Sequence, residues 1–151
     1  MSYSTQVLDH FHQPHNYGQI KDLDGVGEVG NLTCGDVMKL YIKVKKVDNK
    51  AIISEIKFET FGCVAAIATS SMITDLALNK TLEEALEIKN EDIVDDLHGL
   101  PTQKLHCSVL AADALTEAIY DYLTKNNLPI SKELEKKHKR IARHQEQFAE
   151  I

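Results

Sequence analysis

The chain has 151 residues, 43% of them hydrophobic and 26% charged, which fits one globular domain long enough to bury a sizeable core. Its net charge of −6 argues against nucleic acid as the main ligand, because phosphate binding needs a basic footprint. No apolar run approaches the roughly 20 residues of a membrane span, and Met1 to His10 lacks the pattern of a secretory signal, so no membrane association and a cytoplasmic location are expected.

Thr5 to His12 reads as a short amphipathic helix with Val7, Leu8 and Phe11 on one face, stopped by Pro14. Gly18, Gly25, Gly27 and Gly30 punctuate an extended, turn-rich stretch. From Val37 to Val44, Met38, Leu40, Ile42 and Val44 alternate with Lys39, Tyr41 and Lys43, which predicts a strand. Asp48-Asn49 supplies a turn, and Ile52 to Phe61 returns as a second, antiparallel strand.

After Gly62-Cys63 the composition shifts to Ala, Ile, Met and small hydroxyl residues, so Val64 to Leu78 is expected as a largely buried helix. Thr81 to Glu84 has the form of a capping box, and Asn90 to Leu97 predicts a further short acidic helix. Ser108 to Leu123 is a strong helical segment. Ser131 to Phe148 predicts a final charged helix with Leu134, Ile141 and Phe148 spaced at sevens. From Ser131 to Ile151 six Lys/Arg face four Glu, so this tail is +2 and the residues before it carry −8, a solvated helix face more than a nucleic-acid arm.

Three cysteines at wide spacings make a disulfide framework improbable. Each stands at the edge of an element. Cys34 lies in Asn31-Leu32-Thr33-Cys34-Gly35-Asp36; in an extended stretch Cys34 and Asp36 would project to the same side. Cys63 follows Gly62 at the mouth of a helix, where unpaired N–H groups stabilise a thiolate. Cys107 follows His106 at the opening of the long helix, with Lys104 as a nearby cation able to lower a thiol pKa. Three thiolates with a carboxylate or an imidazole make a four-ligand site for Zn2+, Fe2+ or an iron–sulfur cluster. The absence of a Cys-x-x-Cys pair argues against zinc ribbons and ferredoxin sites. His10, His12 and His15 read as adventitious surface histidines, the acidic run from Glu83 to Asp96 as a solvated face, and Ser70-Ser71 as hydroxyls without a partner base.

Cys34-Gly35-Asp36-Val37-Met38-Lys39-Leu40, Thr60-Phe61-Gly62-Cys63 and Leu105-His106-Cys107-Ser108 together resemble the IscU/NifU-type iron–sulfur cluster scaffold family. The opening Val7-Leu8-Asp9-His10-Phe11 with Pro14 and Asn16 resembles its N-terminal segment. The likeness runs from about Tyr3 to Leu128. It implies an α+β fold: a small antiparallel three-stranded sheet packed against several helices, with the cluster site at one end and an extra C-terminal helix. Residues 1–128 would be the scaffold domain and 129–151 its helical extension.

By the same resemblance, Cys34, Cys63 and Cys107 would be the cluster and persulfide cysteines, Cys107 the persulfide acceptor, Asp36 the carboxylate that tunes lability, His106 an additional ligand and Lys104 an auxiliary cation. The protein would be a carrier, not an enzyme. It would take sulfur from a cysteine desulfurase, bind Fe2+ (Zn2+ in the apo form), build a [2Fe-2S] cluster with electrons from a donor such as a ferredoxin, and pass the cluster to apo-proteins, sharing it across a homodimer. The family's chaperone-recognition segment reads Leu-Pro-Pro-Val-Lys, whereas Leu100-Pro101-Thr102-Gln103-Lys104 has a polar centre, which weighs against chaperone hand-off. Cys63 is followed by Val64 where glycine or alanine is common in the family.

Three alternatives are weaker. A zinc-dependent sulfurtransferase of the same superfamily would use the same ligands, but its usual insertion between the second and third cysteines is absent. A cysteine hydrolase would need adjacent His106 and Cys107, which point in different directions at a helix start, to work as a pair. A structural zinc module would unfold without metal, whereas this core looks sufficient without it.

Overall fold

The computed structural model describes residues 2–31 and 35–149. Cys34 therefore lies outside the described residues, and so does the side chain of Phe148. The fold is α+β: α1 (Thr5–His12), β1 (Gly25–Asn31), β2 (Asp36–Val47), β3 (Lys50–Phe61), α2 (Val64–Ala77), α3 (Leu82–Leu86), α4 (Asn90–Asp96), a single 3-10 turn at Thr102–Lys104, α5 (Leu105–Lys125) and α6 (Lys132–Ala149). The sheet is antiparallel in the order β1-β2-β3.

The β2–β3 hairpin forms because Asp48 and Asn49 both accept positive φ, 52° and 65°, the backbone that a two-residue turn between twisted strands requires. Alternation buries Met38, Leu40 and Ile42 on one face of β2. Strict alternation would not place Ile53, Ile56 and Phe58 together, yet all three are buried. A bulge resolves this: the register slips between Lys43 and Val44, leaving Ser54 as the extra residue, with its hydroxyl donating to the Lys43 carbonyl at 3.2 Å.

The glycine-punctuated stretch proves to be the third strand. A Cβ at Gly27 would lie 2.2 Å from the Ala114 carbonyl oxygen and 2.6 Å from the Ala118 nitrogen, so glycine there lets α5 lie directly on the strand backbone. Beyond β3, the segment at Asn16–Gly18 continues the sheet: Phe58 N–H donates to the Asn16 carbonyl at 3.0 Å and Gly18 N–H to the Phe58 carbonyl at 2.8 Å.

α2 is buried on most of its circumference, as its all-round small and apolar composition predicts. It lies among α1, the sheet and α5. Ser4 caps α1 by accepting from Val7 N–H at 3.1 Å, and its hydroxyl donates to the Leu97 carbonyl at the end of α4. The capping box at Thr81 and Glu84 forms as expected, with both bonds present. α6 buries Leu134 and Ile141, and among the described residues no helix is long and apolar enough to cross a membrane.

Candidate metal centre

Register brings the first part of the centre together. Val37 pairs with Phe61, so Asp36 at the start of β2 and Cys63, two residues past Phe61, leave the sheet at the same end. Cys63 is the N-cap of α2, the position expected for it. α5 begins at Leu105, which places His106 and Cys107 in its first turn.

Asp36 Oδ2 is the hub. The Cys107 thiol donates to it at 3.5 Å and the Cys63 thiol at 3.8 Å, with His106 Nε2 at 3.9 Å. His106 Nε2 also lies 3.6 Å from Cys107 Sγ, so these adjacent residues do approach one another, contrary to the expectation that they diverge. Donor atoms of Asp36, His106 and Cys107 all fall within 4.8 Å of one another, close enough to hold one metal ion. Lys104 precedes α5 beside the group, its pKa raised chiefly by the charge of Cys63, with smaller contributions from Tyr3, Cys107 and Asp36.

Gly35 has φ of +77°, a turn, while the expectation that Cys34 projects to the same side as Asp36 falls on a residue outside the described ones. One expectation for Cys107 needs correction. Cys107 is not a thiol with a lowered pKa: burial pushes it up, reinforced by the charges of Cys63 and Asp36. Nor is it exposed. As the third residue of α5 it turns toward α2, joins the core and has its carbonyl bonded by the Thr69 hydroxyl at 3.3 Å.

The electrostatics have a direct consequence. Beside a nearly dry carboxylate, burial favours the protonated Cys107 thiol, which donates to Asp36. A bound cation opposes this and favours release of that proton.

Two neighbours were not read from the sequence. Gly62 is one: a Cβ there would come within 2.6 Å of Asp36 Oδ1, so the missing side chain makes room for the carboxylate. Tyr3 is the other, its phenol pKa raised by burial and then by the charge of Cys63. A lone aromatic ahead of a helix gives no signal that separates it from a core contact.

Outside this group, His10 is buried, not a surface histidine, and its Nδ1 lies 2.7 Å from Ser71 Oγ, giving that serine a base that sequence spacing did not reveal.

Residues 2–129 match the family described as NifU-like N terminal domain. The iron-sulfur cluster assembly scaffold protein IscU 1 of Archaeoglobus fulgidus is 57% identical over 144 residues, covering 91% of this chain and 92% of that protein. The iron-sulfur cluster assembly scaffold protein IscU of Escherichia coli K12 is 48% identical over 128 residues, covering 83% of this chain and 97% of that protein. Among solved structures, the crystal structure of a hypothetical protein superposes with a TM-score of 0.59 at 32% identity, over 76% of this chain and 94% of the other. With the fold and the order of the motifs, these matches place the chain: it belongs to the NifU-like N-terminal domain family, that of the IscU-type iron–sulfur cluster assembly scaffold proteins.

Proposed function

We propose that this chain is a scaffold on which an iron–sulfur cluster, of the [2Fe-2S] type, is assembled and from which it is passed to apo-proteins. The observation that carries the reading is the convergence of Cys63, His106 and Cys107 on one buried Asp36 oxygen, in a chain 57% identical to a protein named as such a scaffold. Cys34, Cys63, Cys107, Asp36 and His106 are the residues that hold iron in this reading. Lys104 offsets part of the site's negative charge. Residues 1–128 form the scaffold domain and 129–151 extend it.

Sulfur arrives as a persulfide on a cysteine desulfurase. The Cys107 thiolate attacks the outer sulfur, the desulfurase S–S bond breaks, and its cysteine leaves as the thiolate. The Cys107 proton leaves first, assisted by His106 at 3.6 Å and by the positive charge of incoming Fe2+. Because Cys107 is buried, that attack requires the first turn of α5 to open. Electrons for cluster closure come from a donor such as a ferredoxin, and Zn2+ takes the same ligands in the apo form. The exposed Val37, Phe61, Leu105 and Val109, close in sequence to the proposed ligands, offer partners an apolar landing, including a second copy of the chain sharing the cluster. Thr102-Gln103 is an exposed polar turn, so the reading includes no chaperone hand-off there. A reducing cytoplasm keeps the thiols available.

Asp36 is a harder and weaker ligand for iron than a fourth thiolate, which makes the site easier to empty. The test is anaerobic reconstitution with Fe2+ and sulfide, read by iron and sulfide content and Mössbauer spectra. Serine variants of Cys34, Cys63 and Cys107 should each impair cluster formation, and Asp36→Ala should slow release. Variants that bind cluster like the parent would overturn the assignment; activity that needs bound Zn2+ with no cluster formed would do so too.

A further inference from the structure

We propose that His10, His15 and Asp75 form a second metal site, for a divalent transition-metal ion such as Zn2+, at the C-terminal end of α2. One donor atom from each residue falls within a group whose members all lie within 4.8 Å of one another. The site is separate from the cysteine group. Cys63 caps the N-terminus of α2, and at roughly 1.5 Å per residue Asp75 stands about 18 Å further along the same helix.

The ligands come from two elements that this network joins. His10 is in α1, where it is buried, and His15 follows the helix, with its ring centroid 4.6 Å from that of His10. Asp75 and Ser71 are one turn apart on α2 and so share a face. Ser71 Oγ meets His10 Nδ1 at 2.7 Å and accepts from His15 N–H at 2.8 Å. With Nδ1 engaged, Nε2 is the nitrogen His10 has left for a metal. A ligand histidine held through its other ring nitrogen is the usual support of a metal site. His15 Nδ1 and Asp75 Oδ2 already lie 2.6 Å apart.

A tetrahedral ion with bonds of about 2.0–2.1 Å needs donors about 3.3 Å apart. His15 and Asp75 have side chains 53% and 37% exposed, so both can rotate to that spacing while Ser71 holds His10. Two imidazoles and one carboxylate suit Zn2+ and its neighbours over Mg2+ or Ca2+, which prefer oxygen, and the fourth position stays open to water. The place on the helix helps: the last turn of α2 has no basic residue, and a cation there meets the negative end of the helix dipole. The ion would pin the end of α1 and the loop after it to α2.

The test is a Zn2+ titration of the reduced, full-length chain, read by calorimetric stoichiometry and by histidine ring-nitrogen shifts. The wild type should take a further equivalent beyond the cysteine group, with shifts at His10 and His15 but not at His12 or His98, and should gain thermal stability as that equivalent binds. His15→Ala and Asp75→Asn, both at accessible positions, should each lose that equivalent and its stabilisation. Ser71→Ala should weaken it by about 10- to 100-fold. The proposal fails if the wild type takes nothing beyond the cysteine group, if His15→Ala and Asp75→Asn chains take up as much Zn2+ as the wild type, or if Cys63→Ser abolishes the equivalent instead.

Discussion

A Cβ at residue 62 would sit 2.6 Å from Asp36 Oδ1 and 2.9 Å from the Ala66 Cβ, both in well-packed surroundings. Gly62→Ala therefore has to turn the carboxylate away from the two thiols that now share its other oxygen. The fold should survive at a cost of about 1–3 kcal/mol, the usual range for an overpacked methyl. Metal affinity should fall by about 10- to 100-fold, as it does when a ligand loses its orientation. Zn2+ competition titration beside a thermal melt separates the two effects, and unchanged affinity would mean the gap at Gly62 is not what seats Asp36. At this scale the sequence was readable where chemistry sits beside an element edge, as at Cys63. It was not readable for Cys107, because one residue more or less at a helix start rotates the side chain by about 100°, and that rotation decides between solvent and core.

Two elements carry information that period alone could not. β1 was visible only as glycines. Their reason, the backbone of α5 lying against Gly27, belongs to a partner about ninety residues away, and no local pattern encodes it. α6 was legible as a helix, and its buried Leu134 and Ile141 follow the seven-residue spacing. Its polar contacts were not. Gln145 donates from Nε2 to the Gly30 carbonyl at 3.0 Å and accepts from Gly30 N–H at 3.2 Å, so a side-chain amide pairs with the edge strand much as another strand would. A glutamine on a charged helix gives no hint of this. Tyr120 and His138 stack at 3.7 Å, while His138 Nδ1 meets Glu117 at 2.7 Å and Arg140 donates to Asp113 at 3.1 Å, fixing the helix in place. Gln145→Ala should leave α6 docked but release Gly30. Its amide should exchange about tenfold faster or more, given roughly 1 kcal/mol per hydrogen bond lost. Amide exchange by NMR checks this, and an unchanged Gly30 rate would show that water or another group replaces the clamp at no cost. Gly30 is the next-to-last residue of β1 and pairs with Val37, the neighbour of Asp36, so the clamp ties α6 to the end of the sheet that holds the proposed iron site.

For the whole molecule, the question is whether metal holds the fold or only visits it. The contiguous core runs from Val7 through the sheet, α2 and α5 to Ile141, and of the described ligands at the cysteine centre Cys107 alone belongs to it. Asp36 is buried at the end of the sheet, and Cys63 is packed against the core from outside. Chains below roughly 70–80 residues commonly need a metal or disulfides to fold; this one has 151 residues. Bound metal should then act by mass action, adding about 2.7 kcal/mol when its free concentration is a hundred times the dissociation constant, and no more than a few kcal/mol in ordinary buffers. Adding a strong chelator should lower the melting temperature by several degrees and leave the far-UV circular dichroism of the helices intact at room temperature. A zinc-dependent module behaves differently, losing its helix signal cooperatively as the ion leaves. The melt also distinguishes the two ends of α2. Thiol-bound metal shifts it in wild type and in His15→Ala alike, whereas metal at the His10 end shifts it only where His15 and Asp75 are present. A chelator that collapses the helix signal outright would put the metal inside the core and remove the physical basis for a site that fills and empties.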